Sequence, residues 1–89
     1  MKNYDIVDVC RIIENTCDKN GFSYGELGNY RFAVWLRIDG ENKVASVLVN
    51  DSGYVEISNR SNSAMFYNFK DLDYPYDPDL GMAIYGLLD

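Results

Sequence analysis

From Tyr30 to Ser58 apolar and polar side chains alternate in successive runs, each ended by turn-forming residues, and that pattern constrains the fold more than any other feature. In YRFAVWLRI, Tyr30, Phe32, Val34, Leu36 and Ile38 fall on one side of an extended chain, while Arg31, Ala33, Trp35 and Arg37 fall on the other. The group DGEN interrupts the run, and KVASVLVN resumes it with β-branched residues at Val44, Val47 and Val49 before DSG breaks it again. YVEISNR then places Val55 and Ile57 on one face with Glu56 and Ser58 on the other. Extended runs joined by such short breaks form an antiparallel meander.

The flanking segments have a different period. From Asp5 to Asn20, residues Ile6, Val9, Cys10, Ile13 and Cys17 recur at helical spacing, with Asp8, Arg11 and Glu14 away from the stripe. Asn3 or Asp5 can accept the free amides at its start, and Asn20-Gly21 supplies a stop. FSYGELGN, residues 22–29, has two glycines and no sustained period, so it reads as a connecting loop with at most one short extended piece. SNSAMFYNF, residues 61–69, is compatible with a helical turn or with a fourth strand bearing Met65, Tyr67 and Phe69 on one face, and the strand reading is preferred. Near the end, Leu80, Ala83, Ile84, Leu87 and Leu88 return to helical spacing. The expected fold is a single α+β domain over residues 1–89, an antiparallel sheet of three or four strands packed against the N-terminal helix, with a short C-terminal helix beside it.

Several function classes are excluded by what the chain lacks. It has two cysteines and no histidine, so a Cys/His zinc site cannot be completed within one subunit. Cys10 and Cys17 lie seven residues apart in the first helix, a separation of ~10.5 Å at the helical rise, beyond the ~7 Å that a disulfide spans. Both read as small buried apolar residues. No run approaches the ~20 apolar residues of a membrane span, and MKNYDIVDVCRI carries acids where a signal peptide would be basic and apolar. A cytoplasmic location is expected.

The formal charge of −6 is unevenly placed. Residues 1–70 hold nine acids and eight bases, whereas residues 71–89 hold Asp71, Asp73, Asp77, Asp79 and Asp89 with no base. Such a surface repels nucleic-acid phosphates and attracts basic protein surfaces, so direct nucleic-acid binding is disfavoured. The densest part is KDLDYPYDPDLG, Lys70 to Gly81. As a calcium loop beginning at Asp71 it fails, with Pro75, Tyr76 and Met82 at the fifth, sixth and twelfth positions where ligands and a glycine are required. Asp77 with Asp79, or Asp71 with Asp73, offers paired carboxylates for acid–base chemistry, but any acidic loop does so, and no nucleophile motif accompanies them. Neither a catalytic residue nor a cofactor is assigned.

Helix initiation accounts for part of the stretch. Asp77 suits the N-cap, Pro78 the first helical position, and Asp79 complements the positive end of the dipole. Asp71, Asp73, Tyr74 and Tyr76 then remain, with two readings open. They form a binding surface, in which tyrosines give contact area and carboxylates steer toward arginine and lysine, or the tyrosines fill the seam between sheet and helix. In an extended chain Asp71 and Asp73 would share a side at a spacing of ~6.6 Å, suited to a groove built for phosphates.

In size, acidity and element order the chain resembles the small phage-encoded anti-CRISPR proteins. That resemblance implies a non-enzymatic inhibitor that blocks a CRISPR nuclease by occupying its nucleic-acid or PAM-reading site with acidic side chains. Members share no common sequence, so no residue role is carried over. The expected function is a protein-binding inhibitor or adaptor, a nucleic-acid mimic that engages a basic nucleic-acid-handling protein through Asp71, Asp73, Tyr74, Tyr76, Asp77 and Asp79. The alternatives are an immunity protein or antitoxin that neutralises a basic toxin, and a small enzyme or metal-dependent domain. The oligomeric state is left open.

Overall fold

The N-terminal helix forms where its caps dictate. The structure is a computed structural model that describes residues 3–89. Its helix α1 spans Ile6–Asn20, and of the two candidate caps it is Asp5 that serves. The Asp5 carboxylate accepts from the Asp8 amide at 2.9 Å, and the Asp8 carboxylate accepts from the Asp5 amide at 3.1 Å, so two orphan amides are satisfied reciprocally. Gly21 ends the helix in the left-handed conformation, with φ of 72°. The buried stripe is Val9, Ile12, Ile13, Thr16 and Cys17, turned from the expected one so that Ile12 and Thr16 are covered while Ile6 and Cys10 are only half-buried.

Five strands follow, joined as an antiparallel meander in sequence order: β1 (Ser23–Gly28), β2 (Arg31–Ile38), β3 (Glu41–Asn50), β4 (Tyr54–Ser58) and β5 (Ala64–Asn68). The α+β class stands as expected, but the sheet has five strands rather than three or four, because residues 23–28 pair with β2 instead of forming a loop. Two things hid this strand: its glycines break the apolar alternation, and the hairpin turns through Asn29-Tyr30 without the usual glycine. Both turn residues adopt positive φ, 54° and 59°, the geometry of a tight hairpin. Tyr30 is therefore in the turn and not on the inward face of β2. The next hairpin, through Asp39 and Gly40, has the expected turn chemistry, with φ of 52° and 81°. Within the 61–69 segment the strand covers Ala64–Asn68 only, and Phe69 opens a 3-10 turn at Phe69–Asp71.

Pairing of Phe32 with Val47, of Val34 with Ala45 and of Val47 with Ile57 aligns one face of the sheet. Against it lie α1 and the second helix, α2 (Pro78–Leu87), and together they bury Val9, Ile12, Ile13, Phe32, Ile57, Leu80 and Ile84 completely. Each such side chain contributes about 1.5–3 kcal/mol through removal from water. β3 extends past the end of β4, and there the backbone of Asp89 pairs with Val44 in both directions at 3.1 Å. The segment after α2 thus continues the ladder where β4 stops. Arg60 donates to the Asp89 backbone oxygen, Ser61 to its carboxylate, and Asn59 to the Leu87 carbonyl.

Candidate functional site

The segment from Asp71 to Asp79 crosses from the 3-10 turn to α2 and is fixed along its length. Leu72 is fully buried between the exposed Asp71 and Asp73, which anchors the start. At the other end Asp77 is 4% exposed. One oxygen of its carboxylate accepts from the Leu80 amide at 2.8 Å, and the other accepts from the Asp73 amide at 2.9 Å. Its own amide donates to the Thr16 hydroxyl at 3.0 Å, which ties the start of α2 to the middle of α1. Asp77 is therefore the N-cap expected from the sequence, and its side chain is spent on that work rather than presented to solvent.

Between these anchors the backbone bends at residues 74–75, where the Tyr74–Pro75 peptide is cis. The Pro75 carbonyl accepts from the Asn15 side chain at 2.8 Å, which adds a second tie to α1. The regular extended row expected for Asp71 and Asp73 is not formed as such: the chain is helical up to Asp71 and extended at Leu72. The two tyrosines divide the readings left open by the sequence. Tyr74 is 54% exposed and stacks on Tyr4 with ring centroids 6.3 Å apart. Tyr76 is half-buried, with the Lys19 ammonium 4.9 Å from its ring centroid, a cation–π contact. Asp79 is exposed in the first turn of α2, and its carbonyl accepts from the Tyr67 hydroxyl at 3.4 Å. Burial first, then the charges of Asp79 and Asp77, raises the Tyr67 pKa. The structure thus brings Asp71, Asp73, Tyr74 and Asp79 to the surface of one anchored segment, with Tyr76 partly covered and Asp77 inside.

A second surface was not identified from the sequence. Both helices cover the Phe32 side of the sheet, so among the described residues no element covers the face bearing Arg31, Ala33, Trp35 and Arg37. Beside these lie Val44, Leu48, Tyr54 and the exposed Phe66, the last edge-to-face with Tyr54 at 5.9 Å. Among the described residues no carboxylate pairs with Arg31 or Arg37. The alternation in YRFAVWLRI carried this signal, but only the placement of the helices decides which face stays open.

The thiols are quiet. Cys17 is buried and Cys10 half-buried, both free, and burial pushes them up to about 12 and about 11. Raised values of this kind disfavour the reactive thiolate. Among the described residues no group of three or more His, Cys, Asp or Glu side chains could hold a metal ion, and no helix is long and apolar enough to cross a membrane. Comparison with protein families, with curated proteins and with solved structures finds no significant match.

Proposed function

We propose that the chain is a non-enzymatic binding module of the cytoplasm that engages a basic protein surface through the segment from Asp71 to Asp79. One observation carries the reading: this segment is held at both ends by buried anchors, Leu72 and Asp77, while the carboxylates of Asp71 and Asp79 and the ring of Tyr74 face solvent. A loop that served only to connect β5 to α2 would need the anchors and not the exposed groups. Held in one geometry, the exposed groups lose little further entropy on binding, and their charge steers toward arginine and lysine. A partner that handles nucleic acid fits best, because its phosphate-binding groove already presents such residues in a row. An inhibitor that occupies the groove of a CRISPR nuclease is the finer form of this reading.

The test begins with capture of host proteins on the immobilised chain, followed by affinity measurement with the purified partner. The captured partner is expected to be basic and to lose nucleic acid when the chain binds. Asp71→Lys combined with Asp79→Lys is expected to weaken binding at least tenfold, with melting temperature as the control for folding. An acidic partner, or equal affinity for the doubly reversed chain, would exclude the proposal.

A further inference from the structure

We propose that β5 is the contact strand of a symmetric dimer, in which two copies of this chain pair antiparallel about Phe66. The argument starts from the direction of the backbone groups. The Phe69 amide donates to the Gly53 carbonyl at 2.9 Å and the Asn59 amide to the Ser63 carbonyl at 3.1 Å, which continues the β4–β5 ladder in register with the Val55–Tyr67 and Ile57–Met65 pairs. Alternate residues of an antiparallel strand bond to opposite sides, so the amide and carbonyl of Ala64, Phe66 and Asn68 face away from the sheet. Among the described residues these groups have no partner.

The two edges of the sheet differ in how they meet solvent. β1 carries Glu26, two glycines and a register shift between Glu26 and Gly28, devices that discourage a further strand. β5, AMFYN, has no charge, glycine, proline or bulge, and Met65 and Phe66 are 43% and 62% exposed. An edge of this composition is a template for pairing.

What it fits best is itself. With Phe66 opposite Phe66 of a second copy, the two residues exchange both backbone bonds, and Ala64 of each copy stands opposite Asn68 of the other, giving about six hydrogen bonds. The strands meet without charge, since the nearest charged residues are Arg60 before β5 and Lys70 and Asp71 after it. On the helix side, Met65 meets Tyr67 of the second copy above the apolar groove between β5 and α2, lined by Met82, Ala83 and Gly86. The contact is isologous, so it closes at two copies instead of growing into a filament.

Sedimentation equilibrium on the full chain, from low micromolar to near millimolar concentration, tests the pairing. The mass is expected to rise from 10.2 kDa toward twice that value. Phe66→Lys places like charges opposite one another, and Ala64→Pro removes an outward amide without touching a bond to β4. Each is expected to raise the dissociation constant at least tenfold while circular dichroism is unchanged. In the unsubstituted chain, amide exchange at Ala64, Phe66 and Asn68 is expected to slow as concentration rises, a readout that needs no variant to fold. A constant monomer mass would overturn the proposal and leave the edge to a strand of another protein. So would folded variants that dimerise as tightly as the parent, or exchange at these three amides that is independent of concentration.

Discussion

Asp77 and Asp71 stand six residues apart in one acidic segment, and the fold uses them in opposite ways. Asp77 is buried with both carboxylate oxygens engaged, whereas Asp71 is exposed at the end of a 3-10 turn. The same residue type is thus an internal fastener at one end of the segment and a surface charge at the other. Composition alone does not separate the two, because what distinguishes them is which amides lie within reach. Substitution should separate them sharply.

The largest effect is expected at Asp77. Replacement by alanine removes the cap of α2, a loss of about 0.5–2 kcal/mol, and strands the Asp73 amide, which adds about 1 kcal/mol or more. Chemical denaturation of Asp77→Ala should show a total loss of about 1.5–3 kcal/mol. Asp77→Asn keeps one acceptor oxygen for Leu80 and loses the bond from Asp73, so it should recover roughly half of that stability. If the two variants were equally stable, the bond from the Leu80 amide that asparagine retains would be contributing nothing.

A smaller contrast lies within α2. The sequence marks Gly81 and Gly86 alike as weak points in a helix, but their surroundings differ. A Cβ at Gly81 would sit 2.5 Å from the Asn20 amide nitrogen and 3.3 Å from the Thr16 methyl, whereas one at Gly86 would meet nothing within 4 Å. The Asn20 side chain donates to the Thr16 carbonyl at 2.8 Å, so Gly81→Ala would displace that bond. Its loss of about 1 kcal/mol offsets the gain of about 1 kcal/mol in helix propensity, and little net change in melting temperature is expected. Gly86→Ala has no such cost and should stabilise by about 0.5–1 kcal/mol. Equal shifts for the two would mean that α1 and α2 do not approach at Gly81.

How far the sequence reached depends on whether a feature is local. The α1 caps, the inward faces of β2 and β4, and the Asp77-Pro78 start of α2 were legible because each is set by spacing along the chain. β1 was not, since its pairing is decided by β2 and its glycines carry no periodic signal. Thr16 was missed for a related reason. Its hydroxyl is tolerated in the core because it accepts from an amide 61 residues away, and no local pattern announces such a partner. The clip of Asp89 onto Val44 is of the same kind. Within the acidic segment, the cap was readable from the order Asp-Pro-Asp. The exposure of Tyr74 and the coverage of Tyr76 were not, because they depend on Tyr4 and Lys19 from the other end of the chain.

The smallest effect on stability should belong to Asp71, and it is the one that tests function. Its carboxylate caps nothing and no hydrogen bond anchors it among the described residues, so Asp71→Lys should change unfolding free energy by less than about 0.5 kcal/mol. The same change inverts a charge at the centre of the proposed contact. Against a basic partner it replaces attraction by repulsion, and the loss should fall first on the association rate and shrink as salt is raised. Asp77→Ala should behave in the opposite way: a lower melting temperature, with affinity per folded molecule weakened only as far as the segment loosens. Measured together by denaturation and by binding kinetics at two salt concentrations, the pair tells an aspartate that holds the segment from one that the segment exists to present. An association rate for Asp71→Lys equal to that of the parent at low salt would place the contact elsewhere on the molecule, with the open Trp35 face as the remaining large surface.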